Sequence, residues 1–217
     1  MNMLKLVGIG LLFATIVGIV AWRWQINGWG SLVWLGMVFV MPIIRTPHEK
    51  RNKDNTIIEK PEAGKEKTLL SMVAIGNSLL PVVHLATGAL SFANYTLPHG
   101  ITAIGCAFAI PGLYLFWRSH ADLGRNWSVT LEVREDHKLV TSGIYKSIRH
   151  PMYSAIWLIS LAVPFLIHNW IAGLSAVVTF GLLYFIRVPH EEQMMRQQFG
   201  KDYDDYCARS GRLWPKF

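Results

Sequence analysis

Long apolar segments dominate this sequence and restrict what the chain can fold into. Four of them approach the roughly 20 residues that a helix needs to cross the hydrocarbon core of a bilayer. They are Leu6–Trp22, Trp29–Ile44, Leu69–Phe92 and Ile101–Trp117. Apolar residues make up 52% of the 217 residues, a large share for a soluble domain with a solvated surface. The pattern predicts an all-α, polytopic bundle of transmembrane helices.

A fifth apolar region, Tyr153–Ile186, is too long for a single span. His168 and Asn169 divide it into two apolar runs, so we expect a tight helical hairpin with both ends on one side of the membrane. The total is then five or six membrane helices, depending on how deeply the hairpin is inserted. The first apolar segment follows Lys5 and is also compatible with a signal peptide. Trp22 at its end favours a membrane helix, because tryptophan is enriched at the membrane interface.

Basic residues indicate the orientation of the chain in the membrane, since cytoplasmic loops carry an excess of Lys and Arg. If the N-terminus is cytoplasmic, 20 of the 21 Lys and Arg residues lie on the cytoplasmic side and only Arg23 lies outside. We therefore expect both termini in the cytoplasm, at a bacterial or archaeal inner membrane or a eukaryotic endomembrane. Membrane orientation and anionic lipid headgroups account for the net charge of +7, so no nucleic-acid partner is expected.

The chain divides into two regions by the distribution of its polar residues. Residues 1–100 hold three predicted spans and the basic loop Arg45–Lys67. Residues 101–217 hold two chemically dense stretches, Arg118–Tyr153 and Arg187–Phe217. Both stretches emerge from spans on the same side, so they can meet at the cytoplasmic membrane surface. We expect a C-terminal catalytic region there.

Two prolines and two cysteines add local expectations. Pro81 predicts a kink in the third span, and Pro189 suits the first turn of a helix that begins after the last span. Cys106 lies in a predicted span and Cys207 in the cytoplasmic tail. Because the two thiols fall in different compartments, we expect neither a disulfide nor a metal site.

The sharpest local motif runs from Gly143 to Tyr153 and reads Gly-Ile-Tyr-Lys-Ser-Ile-Arg-His-Pro-Met-Tyr. Pro151 suits the first turn of a helix, because the N–H that proline lacks is not needed there. Arg149 and His150 directly precede this helix start, where free backbone N–H groups suit a carboxylate or another anion. Each residue alone also fits a purely structural explanation. Their combination favours a site for a ligand that is part polar and part apolar.

This motif resembles the signature G-x-Y-x-x-x-R-H-P-x-Y of the isoprenylcysteine carboxyl methyltransferase family and its phospholipid methyltransferase relatives. The resemblance extends over roughly Trp117–Phe217 through further elements in order: Leu139–Gly143, Glu191-Glu192, Phe199–Tyr203 and Tyr206–Arg209 running to Pro215. Two positions depart from it. Ile144 stands where many members have proline, and Ala155 stands where many have glycine, which puts loop shape and close packing around a cofactor in doubt.

The resemblance implies an S-adenosylmethionine-dependent methyltransferase that is built on membrane helices and acts on a lipophilic or prenylcysteine-like acceptor. Carried over residue by residue, it implies that the cofactor-binding residues are Tyr145, His150, Pro151, Tyr153 and Glu192. For a carboxylate acceptor no general base is needed, and Arg149 or Arg209 would hold it by paired hydrogen bonds. For an amine, thiol or hydroxyl acceptor, His150 or Glu191 would act as the base. Membrane lipids are the expected surroundings of the site.

Two other functions remain open at this point. A steroid-reductase-like membrane reductase would have a similar C-terminal region and would bind NADPH. A non-catalytic membrane scaffold protein would retain the helices without the chemistry. The sequence does not indicate the oligomeric state.

Overall fold

Helices form most of the chain in the computed structural model, which describes residues 3–51, 57–59, 63–98, 100–124, 133–134 and 139–216. The α-helices are α1 Met3–Trp22, α2 Trp24–Asn27, α3 Gly30–Arg51, α4 Ala63–Ala74, α5 Leu80–Thr87, α6 Thr102–Leu123, α7 Pro151–Leu166, α8 Trp170–Phe199 and α9 Lys201–Arg209. A π-helical turn, Ile75–Leu79, joins α4 to α5. Short 3₁₀ turns lie at Ser91–Ala93 and Gly143–Lys146.

Three helical stretches in the described part of the chain are long and apolar enough to cross a membrane: Gly30–His48, Gly64–Thr87 and Trp170–Phe199. Phe13–Trp22 and Pro151–Leu166 are shorter apolar helices. The expectation of a helical membrane protein is therefore confirmed. The exact number of spans, five or six, stays a prediction.

The fifth apolar region forms the expected hairpin, since α7 ends at Leu166 and α8 begins at Trp170. Asn169 is fully buried between them. Its Oδ1 accepts hydrogen bonds from the backbone N–H groups of Ile171 and Ala172, at 3.0 and 2.9 Å. Asn169 is thus the N-cap of α8, and an N-cap satisfies backbone donors that a helix start leaves unpaired.

The irregularity in the third span lies one turn before the expected position. The π turn ends at Leu79, and Pro81 lies in the first turn of α5. The Ser175 hydroxyl donates to the Gly76 carbonyl at 2.7 Å, so α8 satisfies a backbone acceptor of the turn. A Cβ on Gly76 would lie 2.3 Å from the Thr179 Oγ1. Close packing against α8 therefore requires glycine at this point of the π turn.

The expectation that a new helix begins at Pro189 is wrong. Pro189 lies inside α8, which runs without interruption from Trp170 to Phe199. The helix tolerates the proline where the chain leaves the apolar region, so a single continuous helix connects the membrane part to the site.

A short β-pairing departs from the all-α expectation. Ile57–Glu59 pairs antiparallel with Val133–Arg134. The first strand belongs to the connector between α3 and α4, and the second to the connector between α6 and α7. The pairing ties the two connectors together.

Small residues bring the backbones of α6 and α7 close together. A Cβ on Gly105 would lie 2.7 Å from the Leu166 side chain, and one on Gly112 would lie 2.9 Å from Ile159. Ala155 is fully buried in the same core. Small residues permit close helix packing inside a membrane, where van der Waals contact is a main source of attraction. This pair of helices fixes the position of the α7 N-terminus, at which the motif lies.

Candidate functional site

The two dense stretches of the sequence meet in the structure, as expected. The C-terminal tail runs parallel to the motif, with a β-bridge between Ile148 and Gly211. The Gly211 N–H donates to the Ser147 carbonyl at 2.9 Å, and the Arg149 N–H donates to the Gly211 carbonyl at 2.8 Å. These backbone hydrogen bonds fasten the tail to the start of α7.

Arg149 joins the motif to the end of α9. Its Nη1 donates to the carbonyl of Cys207 at 3.1 Å and to the carbonyl of Ser210. Carbonyls at a helix C-terminus lack intrahelical partners, and a cation is favourable beside them. The Arg149 Nε is buried without a hydrogen-bond partner, 3.7 Å from the Glu192 Oε1. The Arg149 guanidinium therefore joins the motif to α9 and also lies beside the buried carboxylate of Glu192.

Glu192 is the centre of a buried ionic cluster. Its side chain is 3% exposed, and Arg212 pairs with both carboxylate oxygens, through Nε at 2.9 Å and Nη2 at 2.6 Å. The His150 Nε2 lies 3.3 Å from the Glu192 Oε1. Hydrogen bonds to Glu192 raise the pKa of Arg212 above its ordinary value, so this tail residue stays charged. Protein donors thus occupy both oxygens of Glu192.

His150, Tyr153 and Glu191 form a second group beside this cluster. The Tyr153 hydroxyl donates to the Glu191 Oε2 at 2.7 Å. The His150 Nδ1 lies 3.9 Å from the Glu191 Oε1, and the ring is buried with 6% exposure. His150 is the N-cap residue of α7, and Pro151 is the first residue of the helix, as the motif predicted. The histidine therefore lies between two carboxylates.

Tyr145 is held from two sides. Its hydroxyl donates to the Ser119 carbonyl of α6 at 3.3 Å, and its own carbonyl accepts from the Tyr206 hydroxyl of α9 at 2.6 Å. Burial raises the pKa of Tyr145 well above its ordinary value, so the phenol stays neutral.

Gly143 and Asp122 fix the start of the motif. The Ile144 N–H donates to the Asp122 Oδ2 at 2.8 Å. Gly143 has a φ of +59°, and a Cβ there would lie 2.4 Å from the same oxygen. Ile144 supplies the N–H that this hydrogen bond needs, which a proline at the same position would lack.

A cavity of about 660 Å³ connects these polar residues to the interior of the helix bundle. Its apolar wall includes Trp34, Met37, Leu70, Val73, Phe116 and Phe180. Its polar end includes Tyr145, Arg149, His150, Tyr153, Arg187 and Glu191. Pro151 also lines it. A volume of several hundred Å³ with few polar groups at one end is typical of a ligand site.

Two of the predicted site residues, Glu192 and Arg209, do not line the cavity, and neither does Ala155. Glu192 does not line this cavity and instead holds Arg212 and His150. Arg209 is exposed on α9, with its guanidinium carbon 6.0 Å from the centre of the Tyr206 ring. Ala155 lies in the α6–α7 interface and does not line the cavity. The size of the side chain at position 155 therefore affects the packing of α6 against α7.

The sequence interpretation missed two arginines. Arg187 lines the cavity and lies 3.3 Å from Glu66 of α4. Its place as the first charged residue after the last apolar run is a signal that would have found it. Arg212 lies three residues beyond Arg209, and only the structure distinguishes which of the two faces Glu192.

Comparison with solved structures identifies proteins of similar fold. The fold is similar to that of a eukaryotic intramembrane Ras methyltransferase, with a TM-score of 0.52 and 17% identity, over 99% of this chain and 87% of that one. This likeness shows that the two chains share a membrane-protein fold.

Sequence comparison shows which family the chain is similar to. Residues 103–197 match the isoprenylcysteine carboxyl methyltransferase (ICMT) family, so the resemblance seen in the motifs is confirmed. Protein-S-isoprenylcysteine O-methyltransferase B of Arabidopsis thaliana is 28% identical over 153 residues, which cover 67% of this chain and 78% of that protein. A probable protein-S-isoprenylcysteine O-methyltransferase of Oryza sativa subsp. indica is 25% identical over 57% of this chain and 65% of its own length.

Proposed function

We propose that this protein transfers the methyl group of S-adenosylmethionine to a carboxylate on a lipophilic, prenylcysteine-like acceptor at the cytoplasmic face of the membrane. One observation carries the proposal: a cavity with a largely apolar wall within the helix bundle is also lined by three arginines, a histidine and a carboxylate. This arrangement suits an acceptor with an apolar chain and an anionic end.

The polar end also suits the cofactor, which carries a carboxylate, an ammonium group, a ribose and a sulfonium. Arg149 lines the cavity, and its guanidinium is a favourable charge for an anion. Glu191 offers acceptor oxygens, and the Tyr153 ring lies at the cavity wall, where an aromatic face attracts a cation. When bound, S-adenosylmethionine supplies an electrophilic methyl group. Tyr145, His150 and Pro151 complete the proposed cofactor side of the cavity.

Glu192 acts on the cofactor through His150 in this proposal. Its carboxylate lies 3.3 Å from the His150 Nε2, which orients the ring toward the cavity. The direct cofactor contact expected for Glu192 from the resemblance is not part of this proposal, because Glu192 does not line the cavity and its oxygens contact Arg212 and His150.

Alignment is the main catalytic task of the protein. The residues at the polar end would hold the acceptor carboxylate beside the bound methyl donor, and correct orientation of the two would supply much of the rate enhancement. A carboxylate attacks as the anion, so no proton has to be removed and Glu191 need not act as a base. Arg149 and Arg187 at the polar end are placed to hold that carboxylate by charge-assisted hydrogen bonds. Arg209 is too exposed for this role in the conformation described.

The names of the relatives support an oxygen acceptor on an isoprenylcysteine, because the plant proteins are called protein-S-isoprenylcysteine O-methyltransferases. The apolar wall excludes water from the reacting atoms, which strengthens the electrostatic contacts inside. The charge distribution supports cytoplasmic termini, with only Arg23 among the Lys and Arg residues on the opposite side.

Thermal unfolding of the detergent-purified protein tests the cofactor. A ligand that binds only the folded state raises the unfolding temperature by mass action, so we expect S-adenosylhomocysteine to stabilise the protein and NADPH to have no effect. The shift is expected to disappear in His150→Ala. Tyr114→Phe is the matched control, because Tyr114 is exposed on α6 and does not line the cavity.

Each contrary outcome has a distinct meaning. Stabilisation by NADPH alone would identify a reductase. A folded protein that responds to neither ligand would be a scaffold protein. If His150→Ala folds and keeps the full S-adenosylhomocysteine shift, the cofactor lies outside the cavity described above.

A further inference from the structure

An ion pair connects the N-terminal region of the chain to the wall of the cavity. The Arg187 Nη1 of α8 lies 3.3 Å from the Glu66 Oε1 of α4. Both side chains are largely buried, with exposures of 13% and 12%. Glu66 belongs to residues 1–100, in which the sequence shows no catalytic motif.

Arg187 is also part of the polar end of the cavity. It lines the cavity and interacts with the Tyr153 hydroxyl, and that hydroxyl donates to the Glu191 Oε2 at 2.7 Å. Glu66 is not among the residues that line the cavity. Any influence of Glu66 on a ligand therefore passes through Arg187.

Stability alone is a weak explanation for this pair. Removing two charges from water is costly, and a buried ion pair often stabilises no better than apolar residues of the same size. A guanidinium has five N–H donors, and the contact with Glu66 uses only part of that set. An arginine side chain has several rotatable bonds, and a fixed carboxylate on one side restricts the direction in which the remaining donors point.

We propose that Glu66 is a positioning residue that holds the Arg187 guanidinium at the cavity wall for the carboxylate of the acceptor. The inference rests on the proposed function, because it assigns the carboxylate of the acceptor to Arg187. It gives the N-terminal region a part in acceptor recognition. The proposed cofactor contacts of Tyr145 and His150 are tested separately, by S-adenosylhomocysteine binding.

Binding measurements without turnover test this role. The probes are N-acetyl-S-farnesylcysteine, which has a free carboxylate, and its methyl ester, which does not. We expect the wild-type protein to be stabilised more by the acid than by the ester. In Glu66→Gln the affinity for the acid is expected to fall about tenfold, the effect of losing one well-placed charged contact, while the affinity for the ester is unchanged.

A double substitution shows whether Glu66 acts through Arg187. Arg187→Gln alone is expected to remove the preference for the acid, and adding Glu66→Gln to it is expected to cause no further loss. Glu66→Asp keeps the charge and is expected to restore part of the preference. S-adenosylhomocysteine is expected to stabilise every variant, which confirms that the proteins are folded.

Asp204→Asn is the matched control. Asp204 also pairs with an arginine at 3.3 Å, but that pair with Arg196 lies on the exposed surface, so the preference for the acid is expected to be unchanged. A Glu66→Gln protein that keeps the full preference would overturn the positioning role and leave the proposed function intact. A wild-type protein that binds S-adenosylhomocysteine but does not prefer the acid would overturn both this inference and the assigned acceptor.

Discussion

Adjacent glutamates at the end of the membrane part have different surroundings. The Glu192 side chain is 3% exposed and contacts Arg212 and His150, whereas the Glu191 side chain is 29% exposed and accepts from Tyr153 at the cavity. The first carboxylate holds parts of the protein together. The second faces the space in which a ligand would bind.

Neutralising Glu192 is expected mainly to lower the stability of the protein, whereas neutralising Glu191 is expected mainly to weaken ligand binding. Glu192→Gln leaves Arg149, whose side chain is 12% exposed, without its counter-charge and is expected to destabilise the protein by about 3 kcal/mol. Glu191→Gln is expected to cost less than about 1 kcal/mol while weakening S-adenosylhomocysteine binding. Thermal unfolding with and without that ligand measures both quantities. Equal losses of stability in the two variants would contradict the separation of roles.

Gly143 combines a left-handed backbone with a close neighbour. Its φ is +59°, and a Cβ would lie 2.4 Å from the Asp122 Oδ2. Gly200 has a similar φ of +52°, but nothing lies within 4 Å of the position of its Cβ. A side chain at Gly200 would meet only the unfavourable backbone conformation. A side chain at Gly143 would also collide with Asp122.

Alanine at these two positions is expected to differ in effect. Gly200→Ala is expected to cost about 1 kcal/mol, from the backbone conformation alone. Gly143→Ala is expected to cost about 2 kcal/mol or more, since Asp122 must also move and its hydrogen bond to the Ile144 N–H weakens. Unfolding temperatures of the two variants check this order. The reverse order would show that the contact with Asp122 does not constrain the motif.

At the scale of elements, α9 docks on the motif through buried tyrosines. Tyr203 and Tyr206 are 2% and 3% exposed, and the Tyr206 hydroxyl donates to the Tyr145 carbonyl at 2.6 Å. Arg149 binds the C-terminal end of α9 through the Cys207 carbonyl. The short helix therefore braces the polar end of the cavity, although it contributes no charged residue to it among those described.

The docking of α9 is expected to weaken at alkaline pH. Burial raises the pKa of Tyr206 to about 12, against about 10 in an unfolded chain. Because the folded state favours the neutral phenol, this contribution is fully present below pH 10 and is lost as the pH rises through about 12. Tyr206→Phe is expected to lose about 1 kcal/mol at neutral pH, from the missing hydrogen bond, and to show a smaller loss of stability between these pH values. Unchanged alkaline sensitivity in Tyr206→Phe would assign the effect to other residues.

At the scale of the whole molecule, the helices place the polar cluster at one end of the bundle. The α7–α8 hairpin returns the chain to the side from which it left, and the tail then pairs with the motif. The turn of this hairpin and the segment after α5 therefore share the opposite end. The proposed cytoplasmic site and the predicted topology therefore depend on each other. Because the tail pairs with the motif, a site on the cytoplasmic side places the C-terminal tail on that side too.

Thiol labelling checks this orientation. In a background in which Cys106 and Cys207 are replaced by serine, a cysteine at Ser91 is expected to react with a membrane-impermeant maleimide applied to the non-cytoplasmic side. A cysteine at Lys201 is expected to react only after the membrane is opened. Both positions are exposed. Labelling of Lys201→Cys in intact membranes would reverse the predicted topology.

The sequence by itself determined the helical membrane class, the hairpin at His168-Asn169 and the helix start at Pro151. These features depend on local composition: long apolar runs require backbone hydrogen bonds to be satisfied within helices, and proline fits a first helical turn. The motif also pointed to the methyltransferase family, because four separate elements occur in order along the C-terminal half.

Only the tertiary structure decided which charged side chains share the cavity. Glu191 and Glu192 are neighbours in sequence, yet successive residues of a helix point in different directions, so one lines the cavity and the other binds Arg212. The pairing of Arg187 with Glu66 joins residues that are far apart in the chain. No local pattern encodes such a contact, because it depends on how α4 packs against α8.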